Sequence, residues 1–194
     1  VLGIADLVYK IILKWKEFGS AKKRGLRIHV ATAFFVPKPH TPFQWEKQIT
    51  MEEYLRRCKL LKSHFYSKSI DYNYHTPEIS RLESVMARGD RRIAPVIAEA
   101  ARNGAKLDGW DEYFKHEAWI NAFEKCGVDP EFYTTRGFGE DEQLPWNHIN
   151  VGLTKKFLLR ERHTAYENRV TPDCRHACAG CGANCLLKEV KCDG

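Results

Sequence analysis

A chain of 194 residues, 43% of them hydrophobic, is long enough to bury a core without crosslinks, so its seven cysteines are not required as disulfide staples. No apolar run approaches the roughly 18 to 20 residues that span a bilayer, because Lys10 and Lys14 interrupt the only candidate, Leu2 to Trp15, and no membrane partner is expected. A formal net charge of +6 admits RNA, a phosphate or a carboxylated metabolite as partner, although the densest basic groups, Lys22-Lys23-Arg24 and Arg88 with Arg91 and Arg92, are short enough to be solvated faces.

Ile4, Leu7, Val8, Ile11, Ile12 and Trp15 recur on one face of a helix that Gly19 can close. So strong a stripe needs a partner surface, which leads to the expectation that the chain is the downstream piece of a larger protein. Leu26 to Val36 is rich in β-branched and aromatic residues and predicts a strand buried on both faces, ended by Pro37, Pro39 and Pro42. Helix, turn and buried strand make half of a β/α unit, whose working loops lie at the C-terminal ends of strands. The loop 37–45 occupies that place, and Lys38, His40, Gln44 and Trp45 are candidates for a pocket wall, with a stiff connector as the plain alternative.

Thr50 with Glu53 forms a capping box for a helix running to about Ser67, and Ile70, Tyr72 and Tyr74 alternate as in an edge strand over 69–75. Helices follow. Thr76-Pro77 opens one that Gly89 ends, with Ile79, Leu82, Val85 and Met86 as its stripe. The next begins near Asp90 and carries Ile93, Val96, Ile97, Ala100 and Ala101, with Pro95 tolerated only in its first turn. A third spans Asp111 to Cys126 before Gly127, and a fourth is predicted from Asn147 through Ile149, Leu153 and Phe157. Arg88-Gly89-Asp90 has the letters of an adhesion motif, but one helix stops at the glycine and another starts at the aspartate, so capping accounts for both. His75, Arg88, Arg91 and Arg92 read as capping or solvated residues, and His148 and His163 as surface residues.

The sequence DCRHACAGCGANC, residues 173 to 185, spaces four cysteines C-x3-C-x2-C-x3-C. Thiolates ligate structural zinc and iron–sulfur clusters, and Gly180 and Gly182 let the backbone wrap around Cys181. The candidate metal ligands are Cys174, Cys178, Cys181 and Cys185, with Cys192 as a substitute for an outer one. The short inner gap leans towards an iron–sulfur cluster, with zinc as the alternative. An odd cysteine count without a leader-like stretch suggests a reducing, cytoplasmic setting.

Four stretches, TAFFVPKPHTPFQW (32–45), HTPEISRLESVMARGDRR (75–92), LPWNHINVG (144–152) and TPDCRHACAGCGANC (171–185), resemble in order the downstream portion of the uncharacterised cobalamin-binding-type radical S-adenosylmethionine proteins. The resemblance implies an α/β fold: the last elements of a partial (β/α)6 barrel over 1–75, a mainly helical extension over 76–168 and a cysteine-rich metal-binding tail over 169–194. It also implies an upstream barrel and cobalamin-type domain in a parent chain, where a [4Fe–4S] cluster cleaves S-adenosylmethionine and cobalamin is a possible further cofactor. Phe35, Val36 and Pro37 would then lie beside the adenine of S-adenosylmethionine, and Lys38 and His40 would face the substrate.

Cys174, Cys178 and Cys181 also read C-x3-C-x2-C, but only 13 residues follow Cys181 and Ala179 stands where an aromatic residue is usual, so the radical-generating cluster is expected elsewhere. This stretch alone is not expected to catalyse the reaction. The rival reading is a zinc-stabilised helical module that binds RNA or a protein partner without catalysis.

Overall fold

The computed structural model describes residues 1–18 and 25–183, and the predicted Gly19 cap, Cys185 and Cys192 lie outside them. The elements are α1 (Leu2–Phe18), β1 (Ile28–Thr32), α2 (Met51–Ser63), β2 (Ile70–Tyr74), α3 (Pro77–Arg88), α4 (Ile93–Arg102), α5 (His116–Cys126), α6 (Glu131–Thr134) and α7 (Lys155–Tyr166). The fold is mixed α/β and mostly helical. β1 and β2 pair in parallel, Ile28 opposite Ile70 through Thr32 opposite Tyr74, with α2 in the crossover between them. No barrel is formed by the described residues, and no helix among them is long and apolar enough to cross a membrane.

The strand expected over 26–36 is shorter and not enclosed. No residue of β1 or β2 is buried, because among the described residues the two-stranded sheet has no further strand on either outer edge. The enclosed part lies just beyond β1, where Phe34 stacks on Tyr54 with ring centroids 4.2 Å apart and Cys58 fills the space beside them. The expected α1 face is split: Val8 and Ile12 are buried with Ala5, while Ile4, Leu7, Ile11 and Trp15 remain exposed. Tyr9 ties the helix down, donating to His64 O at 3.0 Å, accepting from Tyr66 N at 3.0 Å and stacking on the Tyr66 ring.

The Thr50 cap forms, its Oγ accepting from Glu53 N at 3.2 Å, but Glu53 turns to Arg56 and Arg57 instead of closing the box. α4 begins at Ile93, so Pro95 falls in the first turn, where its missing N–H costs no helical bond. Gly127 takes the left-handed conformation at the end of α5, φ 62°.

The helix predicted over 111–126 is broken into a 3₁₀ turn at Asp111–Tyr113 and α5. At the break Phe114 packs against the α3–α6 core, while Asp111 accepts from the Thr76 hydroxyl at 3.5 Å. The helix predicted from Asn147 starts only at Lys155. Asn150 Oδ1 accepts from Gly152 N at 2.9 Å, Gly152 is left-handed at φ 79°, and Thr154 then caps the helix by accepting from Phe157 N. Leu153 and Phe157 do reach the apolar cluster of Trp45, Phe138, Leu144, Trp146 and Leu158, but Ile149 stays exposed.

Arg88 departs most from expectation. It is fully buried, not solvated, because Ser80, Ser84 and Arg88 form a polar face at i, i+4 and i+8 that α3 turns inward. Its guanidinium donates to Tyr133 O at 2.8 Å, Thr134 O at 3.0 Å and Arg136 O at 2.8 Å, and lies 4.1 Å from the Phe138 ring centre. Gly89 is equally constrained, since a Cβ there would sit 2.7 Å from both Val85 O and Ile93 Cγ1. Asp90 accepts from the backbone N–H and side chain of Arg92 and from Tyr133 Oη. All three residues of the adhesion-like tripeptide therefore serve the fold.

Candidate functional site: a cleft beside the cysteine segment

The loop 37–45 leaves β1 and folds against the segment 137–153. Gln44 holds the two together. Its Oε1 accepts from Trp146 Nε1 at 2.6 Å and from His40 N at 3.0 Å, which pins His40 in a left-handed backbone conformation, φ 57°. A non-glycine residue in that region carries strain that its surroundings must hold. Phe138 N donates to Trp45 O at 2.9 Å, and Arg162 of α7 pairs with Glu46 at 2.7 Å and with Glu140 at 2.5 Å, tying the same segments to the helix.

These contacts enclose a cleft of about 430 Å³. Trp45, Leu144, Trp146 and Leu158 form its apolar floor, and His40, Gln44, Asn147, Asn150 and Lys155 are among its polar walls. Glu142 also borders it, but Arg136 binds that carboxylate at 2.9 and 3.1 Å and Gly139 N donates to it at 3.1 Å. Arg136, first, and the Gly139 N–H hold the Glu142 pKa below the usual carboxylate range.

The other predicted site residues do not share this cleft. Lys38 is committed to an ion pair with Glu83 of α3. Phe35 is half-exposed and packs edge-on against Phe43, its carbonyl accepting from Gln48 Nε2 at 3.1 Å. Pro37 is fully enclosed, so of the three predicted adenine contacts Phe35 and Val36 present side-chain surface. Phe35 instead borders a separate, mostly apolar groove of about 170 Å³ with Ile4, Tyr54, Arg57 and Tyr72.

The cysteine segment docks on the first turns of α7. Cys181 O accepts from Thr154 N at 2.9 Å, Arg160 donates to Ala179 O, and Thr171 donates to Glu161 at 2.6 Å. Gly182, φ 97°, lies so close to α7's entry that a Cβ would meet Thr154 Cγ2 at 2.7 Å and Gly152 O at 3.0 Å. Within the segment, Gly180 N donates to Cys178 Sγ and Ala183 N to Cys181 Sγ, each at 3.4 Å. Donors aimed at sulfur suit a ligand atom that bears negative charge, and the left-handed Gly180 and Gly182 make the bend that aims them.

The donor set therefore fits a thiophilic metal. Cys174, Cys178 and Cys181 are free thiols, and among the described residues no three His, Cys, Asp or Glu side chains converge. His148 is exposed and His163 pairs with Glu140 at 3.1 Å.

Asn150 and Lys155 were not anticipated by sequence reasoning. The signal existed in Asn-x-Gly followed by Thr, a turn and then a cap, which would have moved the helix start from 147 to 155 and put Lys155 at its mouth. No family model, curated protein or solved structure matches this chain.

Proposed function

We propose that this chain is the later part of a radical S-adenosylmethionine iron–sulfur enzyme, supplying one wall of a substrate pocket and an additional cysteine-ligated metal site. The observation that carries the reading is the cysteine segment itself: two sulfurs already receive backbone N–H bonds, and the segment is fastened to the helix that borders the cleft. Cys174, Cys178, Cys181 and Cys185 would hold the metal, and the protein's task at that centre is to orient it and limit its exposure to water. An iron–sulfur centre there would supply electron transfer or bind a substrate group.

The parallel β1–α2–β2 unit supports the barrel part of this reading. Parallel strands are covered on both faces in α/β proteins, and here neither strand has a buried residue, so further strands and helices are expected against them. The exposed apolar residues of α1 point the same way.

Anaerobic purification with quantification of iron, sulfide and zinc tests the assignment. Stoichiometric iron and sulfide with broad visible absorption is expected, and it should be lost in Cys178→Ser and Cys181→Ser. A colourless protein with one zinc per chain would favour the non-catalytic, zinc-stabilised module instead.

A further inference from the structure

Three of the polar side chains that line the cleft, Gln44, Asn150 and Glu142, have acceptor oxygens already engaged, while Gln143, Asn147 and the His40 ring also belong to its polar lining. Gln44 Oε1 accepts from two groups that can only donate, the Trp146 indole and the His40 amide, which fixes the orientation of the side-chain amide and leaves Nε2 as its free end. Asn150 is fixed in the same way, because its Oδ1 accepts from Gly152 N and so leaves Nδ2. The Glu142 carboxylate is taken by Arg136 and Gly139 N. Trp45, on the floor, is 2% exposed and its indole N–H has no acceptor among the described residues. Lys155 adds a cation at the wall, and no carboxylate among the described residues pairs with it.

A second irregularity agrees. The first turn of α7 holds Lys155 and Lys156 and no acid, although the positive end of a helix favours negative charge. A sequence that breaks a local rule of this kind without a structural return marks a place shaped for something else.

We propose that this cleft binds a small molecule through an oxyanion, a carboxylate or a phosphate, received by Lys155 Nζ, Gln44 Nε2 and Asn150 Nδ2, with the body of the ligand over the Trp146 side of the floor. The proposal rests on the substrate-pocket reading only in calling that ligand a substrate. A cleft of about 430 Å³ falls in the range of small-metabolite sites.

The test is isothermal titration calorimetry of the full chain with inorganic phosphate and, separately, with succinate, which distinguishes the two oxyanion sources. Lys155→Met removes the cation. Asn150→Asp keeps the Gly152 bond but replaces a donor by a negative charge, and its exposed position protects the fold. Lys59→Met on the outer face of α2 is the control.

Saturable binding of at least one anion is expected, weakened about tenfold or more in Lys155→Met and Asn150→Asp and within about twofold of wild type in Lys59→Met. Absence of saturable binding of either anion up to about 10 mM, or equal binding in all three variants, overturns the proposal. Iron content is measured on the same samples. Anion binding without iron would defeat the enzyme reading alone, and iron without anion binding would defeat this inference alone.

Discussion

Replacing Arg88 by Met keeps most of the buried stem and removes the guanidinium, so it isolates what that group does. Three carbonyls, of Tyr133, Thr134 and Arg136, lose their donor, and the Phe138 ring loses a cation 4.1 Å from its centre. Hydrogen bonds from a charged donor contribute about 1.5 kcal/mol each at the low end of their range, and a desolvated cation–π contact about 1 to 2 kcal/mol. Against this, burial first and then the nearby Arg136 pull the Arg88 pKa down to about 10, which corresponds to a cost of about 3 kcal/mol for holding the charge there. The net expectation is a destabilisation of about 3 kcal/mol, or a fall in Tm of roughly 6 to 12 °C for a chain of this size. Urea unfolding and calorimetry measure it, with Arg88→Lys falling between Met and wild type because it keeps the charge but reaches fewer carbonyls. Stability of Arg88→Met within about 0.5 kcal/mol of wild type would refute the argument, since the three carbonyls would then have to be satisfied without it.

Four further outcomes follow from particular contacts. Gly89→Ala should cost about 1 to 3 kcal/mol by the same unfolding assay, because its Cβ would press on Val85 O and Ile93 Cγ1 at 2.7 Å, and neither is the end of a long flexible chain. Asp90 has a folded-state pKa lowered to about 2, first by its bonds to Arg92, so the stability it confers is complete above its ordinary pKa near 4 and is lost as pH falls from there towards 2; Asp90→Asn should lose about 1 kcal/mol at neutral pH and flatten that acid limb of the unfolding profile. Gly182→Val should release the cysteine segment from α7, seen as faster limited proteolysis after about residue 171 with the α3–α6 core still protected. Cys178→Ser or Cys181→Ser should give the same proteolytic pattern if metal binding orders the segment, and unchanged resistance would contradict it.

Features carried by neighbours in sequence were legible: the Thr50 cap, the Gly127 terminus, the tolerated Pro95 and the alternation of Ile70, Tyr72 and Tyr74 that marks β2 each depend on a few adjacent residues. The misread features depend on distant ones. Arg88 looks like a solvated residue until the carbonyls of 133–136 are placed against it, more than forty residues away. The strand 26–36 has the composition of an enclosed strand, yet composition cannot supply the neighbouring strands that would enclose it. Of the cleft, His40 and Gln44 could be named because prolines frame their loop, whereas Asn150 and Lys155 stand more than one hundred residues later and join them through long-range contacts such as the Gln44–Trp146 bond.

That bond and the docking of the cysteines bear on one another through α7. The backbone of 150–155 is held from one side by the Asn150–Gly152 turn and from the other by Cys181 O on Thr154 N, with Gly182 pressed against both Gly152 and Thr154. Asn150 and Lys155, the two ends of this short span, are also walls of the cleft. The Thr154 N–Cys181 O bond and the close approach at Gly182 are the contacts through which the cysteine segment bears on this span. If the proposed metal orders the segment, these contacts carry that order to Asn150 and Lys155, so anion binding in the proposed cleft should weaken in Cys178→Ser, and calorimetry showing unchanged anion binding there would separate the two sites.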